Sequence, residues 1–268
     1  MTTIKANPWI TCPQPNPAAK LRLFCLPYAG GGASSFRAWS APLLPSIEVC
    51  PIELPGRGSR FQEPPYTRLT PLIQDLAQAL LPYLDIPFAF FGHSMGALLS
   101  FELAQFLSQT YKLTPTCLAV AGRPAPHLPN CGSPIHALPD SEFLQKLREF
   151  NGTPEPVLAN AELMQILLPT LRADFAVIET FAYAASPVLN CAIATFGGQD
   201  DPKVSLADLE AWREQTHSTF LLHLLPGDHF FIHSTQAQLL SILKPFLAQT
   251  VSPSLPPKPS VDMRNPHV

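Results

Sequence analysis

Residues Gly92-His93-Ser94-Met95-Gly96 lie between an apolar run at 87–91 and a helical pattern over 97–107. A chain that turns from strand to helix within five residues leaves little room for side chains at the flanks, and glycine occupies both flanks. This order predicts a strand, a sharp turn and a helix. The turn lifts the Ser94 hydroxyl above the end of a sheet, and the first N–H groups of the helix point at the same spot. The same residues would also serve as a plain crossover without chemistry, so the surrounding pattern has to decide.

That pattern repeats along the chain. Short apolar strands are expected at 21–26, 47–53, 87–91, 116–121, 191–196 and 220–225. Helical patterns cover 34–43, 97–107, 205–215 and 234–248, and a further helix opens at Thr70-Pro71, with the threonine as cap. The alternation predicts an α/β fold with a mostly parallel, doubly wound sheet. Ligands on such sheets sit beyond the carboxyl ends of the strands, where loops 27–32, 92–96, 197–202 and 226–229 fall. The series breaks at about 123–187, where prolines punctuate helical stretches at 140–149 and 161–182. This reads as an inserted helical segment. Residues 1–20 are polar and proline-rich, a flexible N-terminal arm. The folded domain is expected over 21–250, and the Pro/Ser-rich residues 251–268 form a disordered tail.

Composition narrows the function classes. Of 268 residues, 46% are hydrophobic, enough for one large core. A net charge of −3 gives no footprint for nucleic acid and no polybasic membrane patch. The six cysteines have no metal-ligand spacing and no disulfide framework, and Cys25, Cys50, Cys117 and Cys191 sit in apolar runs as small buried hydrophobes. No metal or cofactor is expected. Residues 1–17 carry no apolar signal region, and the semi-apolar stretch 88–107 contains His93, Ser94 and Glu102. A cytoplasmic protein is expected, and the absence of an evident interface pattern favours a monomer.

A serine hydroxyl needs a neighbouring base before it can attack. Among eight histidines, His229 stands out because it follows the last strand in Pro226-Gly227-Asp228-His229-Phe230. His93 precedes the serine and is expected to point elsewhere. His233 falls one turn further on, as surface or packing, and His223 lies inside a strand. A carboxylate must fix the base's tautomer. Asp200 and Asp201 compete for that role after the strand at 191–196, and the Gly198-x-x-Asp201-Pro202 frame favours Asp201. The chain order Ser94, Asp201, His229 is that of α/β-hydrolases. The oxyanion donors are expected to be the backbone N–H groups of Ala29 and Met95. The glycine-rich loop at 27–32 has neither Gly-Lys-Ser/Thr nor GxGxxG, which argues against nucleotide binding.

At this point the chain resembles the type II thioesterases, the stand-alone editing enzymes of nonribosomal peptide and polyketide synthases. The matching segments include Leu26-Pro27-Tyr28-Ala29-Gly30-Gly31-Gly32, Glu53-Leu54-Pro55-Gly56-Arg57-Gly58 and Phe91-Gly92-His93-Ser94-Met95-Gly96-Ala97. They continue with Leu168-Pro169-Thr170-Leu171-Arg172-Ala173-Asp174-Phe175, Gly198-Gln199-Asp200-Asp201-Pro202 and Leu225-Pro226-Gly227-Asp228-His229-Phe230-Phe231. The resemblance implies an α/β-hydrolase fold with a helical lid at about 123–187. It implies Ser94, Asp201 and His229 as the catalytic triad, with Ala29 and Met95 at the oxyanion hole. It also implies hydrolysis of misloaded acyl groups from the phosphopantetheine arm of acyl or peptidyl carrier proteins. The alternatives are a general esterase or lipase, a chain-terminating acyl-carrier-protein thioesterase, and a non-catalytic carrier-binding partner. In the lid, a minority of Leu144, Leu147, Leu163, Ile166, Leu167, Phe175, Ile178 and Phe181 are expected to line a substrate channel. Arg57 either braces a loop or meets substrate, and Arg172 and Asp174 are expected to pair with each other.

Overall fold

The six expected strands form one sheet in a computed structural model of the chain. It describes residues 7–12, 14–129, 132–150, 152 and 155–250. The strands are β1 (Leu21–Leu26), β2 (Ile47–Pro51), β3 (Phe88–His93), β4 (Cys117–Ala121), β5 (Ala192–Gly198) and β6 (Phe220–Leu225). All neighbours are parallel, in the order β2-β1-β3-β4-β5-β6. The chain runs outward from β1 to β2, then returns past β1 to β3. The switch between β1 and β3 therefore opens a crevice at their carboxyl ends.

The central strands are apolar on both faces because both faces are covered. Along β1, Leu21, Leu23 and Cys25 face one core and Phe24 and Leu26 the other. In β3, Ala89 and Phe91 share the first core, while Phe88 and Phe90 share the second. Helices α1 (Ser40–Leu43), α8 (Phe231–Ser234) and α9 (Gln236–Gln249) cover the first face. Helices α2 (Leu69–Leu80) and α3 (Met95–Phe106) cover the second. Between β4 and β5 the expected insertion folds as α4 (Asp140–Phe150), α5 (Glu155–Leu158) and α6 (Ala161–Glu179). It has a small core of its own around Phe143, Leu147, Met164, Leu168 and Leu171. After β5 comes α7 (Leu206–Glu210), capped by a reciprocal Ser205–Asp208 box.

Three local expectations change. Helix α2 starts at Leu69 with Arg68 as its extended cap residue, so Thr70 lies inside the helix and caps nothing. The patterns at 34–43 and 205–215 are only partly α-helical, being completed by 3-10 turns at Ala33–Trp39 and Ala211–Gln215. Part of the expected loose arm is packed against the domain. Ile10 bridges Ile52 in antiparallel sense, Trp9 is buried beneath the Arg60 guanidinium at 4.0 Å, and Asn7 donates to the Ala79 carbonyl at 2.7 Å. An unpaired edge on β2 explains this, since the arm satisfies backbone groups that β1 cannot reach. The tail at 251–268 lies outside the described residues. Among the described residues no helix is long and apolar enough to cross a membrane.

Candidate active site

Ser94 sits between β3 and α3 with φ 53° and ψ −109°, a conformation rare for a residue with a side chain. The turn closes against backbone on both sides. A Cβ at Gly92 would lie 2.0 Å from the Gly96 carbonyl oxygen, and one at Gly96 would lie 2.0 Å from the Leu26 carbonyl oxygen. Glycine at both flanks therefore lets the start of α3 press onto the end of β1. The Ser94 N–H donates to the Ala121 carbonyl at 2.8 Å, which ties the turn to β4.

Asp201 follows β5 and His229 follows β6, and the two meet across the top of the sheet. Asp201 Oδ2 and His229 Nδ1 are 2.7 Å apart, with the Asp201 side chain fully buried. The second carboxylate oxygen accepts the Lys203 N–H at 2.8 Å. Asp200 is exposed, and Asp201 is the one of the competing pair that contacts His229. Ser94, His229, Tyr28 and Ala29 line one cavity of about 610 Å³. Ser94 Oγ and His229 are not hydrogen-bonded to each other; such bonds are often loose until substrate tightens them. Met95 is the first residue of α3 and Ala29 belongs to the loop after β1, so both expected oxyanion donors lie at this end of the sheet.

His93 does not line the Ser94 cavity; its ring packs behind it, 5.1 Å from the His229 ring centroid, among Tyr28, Phe230 and Phe231. Complete burial, with His229 and then His233 as neighbours, holds its pKa well below the ordinary imidazole value. His93 is thus a neutral wall behind His229. His233 is also drawn in, through a 3.0 Å hydrogen bond between Nε2 and the Tyr28 hydroxyl. These rings were not assignable from sequence, because their meeting depends on two loops separated by some two hundred residues of chain.

The insertion roofs the cavity. Leu147, Phe175, Ile178 and Phe181 line it, while Leu167 lines an adjoining groove of about 750 Å³ that shares Tyr28, Ala29 and Leu171. Ile166 is 50% exposed and lines neither. Arg123 also faces the apolar cavity region, and burial lowers its pKa to about 10. The expected Arg172–Asp174 pair does not form. Arg172 reaches Asp140 at 2.6 Å and the His136 carbonyl at 2.7 Å, whereas Asp174 makes a buried pair with Arg57. Arg172 and Asp174 are two residues apart on a helix and cannot face each other.

Among the described residues, one trio of side chains has metal-ligand proximity: Cys12, Glu48 and Cys50, beside the edge strand β2. Glu48 is already held by Arg22 at 2.5 Å and by the Asn16 N–H at 2.9 Å. The trio contributes nothing to the Ser94 cavity.

Comparison with known proteins places this geometry. The model of the thioesterase domain family matches residues 21–247. The chain belongs to the thioesterase family. The matched span runs from β1 into α9, so the thioesterase domain takes in the insertion and every residue of the site. The thioesterase is 47% identical over 251 residues to the gramicidin S biosynthesis protein GrsT of Aneurinibacillus migulanus, covering 94% of this chain and 98% of that one. It is 48% identical over 246 residues to a Brevibacillus parabrevis protein named linear gramicidin dehydrogenase LgrE, covering 91% and 94%. The loop after β1 in the present chain carries no GxGxxG, and its family match is to thioesterases. Among solved structures, the type II thioesterase BorB of the borrelidin biosynthetic cluster superposes with a TM-score of 0.82 at 35% identity, covering 93% of this chain and all of that one.

Proposed function

We propose that this thioesterase is a stand-alone editing enzyme. It frees acyl groups, typically misprimed or stalled, from the phosphopantetheine arm of carrier proteins in nonribosomal peptide or polyketide synthesis. The observation that carries the reading is the meeting of Ser94, on its strained turn, with the Asp201–His229 pair on one roofed, largely apolar cavity. The kinship with proteins named for gramicidin and borrelidin biosynthesis supports the synthase setting.

Each step follows from the groups present. Asp201 accepts a hydrogen bond from the Nδ1–H of His229, which keeps the proton on Nδ1 and leaves Nε2 as the base for the Ser94 hydroxyl. Ser94 Oγ attacks the thioester carbonyl. The negative charge that develops on oxygen is met by the N–H groups of Ala29 and Met95 and by the positive end of α3. The departing phosphopantetheine thiol has a pKa of roughly 8.5 and leaves with little help from an acid. His229 gives the proton taken from Ser94 to the departing thiolate, then takes one from water, whose oxygen attacks the acyl-serine, and returns it to Ser94 Oγ as the acid leaves. Side chains, two backbone donors and water suffice for this sequence.

The test is release of acetate from acetyl-phosphopantetheinyl carrier protein, measured beside acetyl-CoA and p-nitrophenyl acetate. Fastest turnover of the carrier-bound thioester, lost by a factor of roughly 10⁶ in Ser94→Ala, is the expected result. Preference for the free oxygen ester would replace the editing role with that of a general esterase.

A further inference from the structure

A buried carboxylate of the insertion reaches the loop that carries Ala29. Asp174 lies on α6 and is almost wholly buried. Its Oδ2 accepts the Gly30 N–H at 2.8 Å and Arg57 Nη1 at 2.8 Å, and its Oδ1 accepts Arg57 Nη2 at 2.6 Å. The same Arg57 Nη1 donates to the Gly31 carbonyl at 2.9 Å. Gly30 and Gly31 directly follow Ala29, the expected oxyanion donor. The Gly31 N–H turns back to the Tyr28 carbonyl at 2.9 Å, while the Gly30 N–H has Asp174 as its partner. The tie to Gly30 fixes the plane of the Ala29–Gly30 peptide, and the turn fixes the residue before it. Between them they set where the Ala29 N–H points.

The helix also sits bodily on the loop. Gly30 has φ +76°, and a Cβ there would lie 2.5 Å from Leu171 Cδ2 on α6. Thr170, beside it, donates to the Gly56 carbonyl at 2.8 Å. A bidentate arginine–carboxylate pair removed from water holds its geometry tightly. Here it is built from three segments: the loop after β1, the loop after β2 and the insertion helix.

We propose that Asp174 is a positioning residue for the oxyanion loop, so that the reaction centre is complete only while α6 is seated on it. The inference rests on the proposed role of the Ala29 N–H. Leu171, Phe175 and Ile178 of the same helix line the cavity. Enclosure of the acyl group and alignment of the oxyanion donor are then one event. A thioester that has entered is hydrolysed, and an open site stays idle.

The experiment compares Asp174→Ala and Asp174→Asn with Arg172→Ala, which loosens the insertion at Asp140 and His136 without touching the loop. Two rates are measured on the full chain: hydrolysis of the carrier-bound acetyl thioester, and phosphonylation of Ser94 by a small fluorophosphonate, whose P–O group occupies the same hole. Losing alignment of one oxyanion donor costs on the order of 10²-fold in kcat. That loss is expected for Asp174→Ala, with an intermediate loss for Asp174→Asn, an unchanged KM and a parallel slowing of phosphonylation. Arg172→Ala is expected to lower the melting temperature and leave both rates alone. The asparagine keeps the volume and one acceptor, so it carries the test if the alanine variant does not fold. A folded Asp174→Asn with wild-type kcat and wild-type phosphonylation would reduce the pair to a brace and overturn the proposal. Should the wild type fail to hydrolyse the thioester, the editing role falls, while the phosphonylation rates still decide the role of Asp174.

Discussion

At the scale of single residues, the site separates neighbours that sequence leaves equivalent. Asp200 and Asp201 are adjacent, yet one is exposed and the other is buried on His229 Nδ1. Asp201→Asn preserves the shape of the contact but offers an N–H where an acceptor is needed, which turns the imidazole to the wrong tautomer. A loss of roughly 10⁴ in kcat is expected, by analogy with the same substitution in a serine protease triad. Asp200→Asn should leave kcat within twofold. Parallel steady-state kinetics on the two variants checks the assignment, and comparable losses would return Asp200 to contention.

At the scale of elements, the strands were legible because each is a short apolar run bounded by turn residues, and all six fall where the alternation puts them. The placement of Ser94, Asp201 and His229 at one end of the sheet was legible because each follows an apolar run at its carboxyl end. The Asp174–Arg57 pair was not, since its partners are 117 residues apart and belong to different loops and helices. The packed arm was not legible either. Residues 7–12 carry Trp9 and Ile10 within a polar, proline-rich stretch too short to show a period, and it is the open edge beside β2, with Arg60 and Tyr66, that gives Trp9 a place to bury. Trp9 stacks under Arg60 and lies 6.1 Å from Tyr66. Trp9→Ala is expected to cost about 3 kcal/mol, the usual penalty for deleting a large buried aromatic. Denaturant melts should show that loss while kcat stays unchanged. An unaltered midpoint would mean that the arm adds nothing to the fold.

At the scale of the whole molecule, buried titratable groups pull stability in opposite directions with pH. Burial lowers the pKa of His93, His223 and His233 below the ordinary value of 6.5. The folded state disfavours the charged form of these imidazoles, of His93 most because it is fully buried, so below about pH 6.5 the unfolded chain binds more protons and stability falls as the pH drops. Glu102 acts the other way. Burial on α3 raises its pKa from 4.5 to about 7, so the folded chain holds that proton longer than the unfolded one. Its contribution is complete below pH 4.5 and is lost as the pH rises through about 7. Wild-type stability should therefore decline only gently between pH 8 and pH 5, with the carboxyl offsetting part of the histidine loss. Glu102→Gln removes the offset. The variant should melt higher than wild type at pH 8, and its melting temperature should fall more steeply on acidification until the two curves converge near pH 4.5. A constant gap across the whole range would show that Glu102 does not titrate differently in the folded chain, and that its burial is not felt as charge.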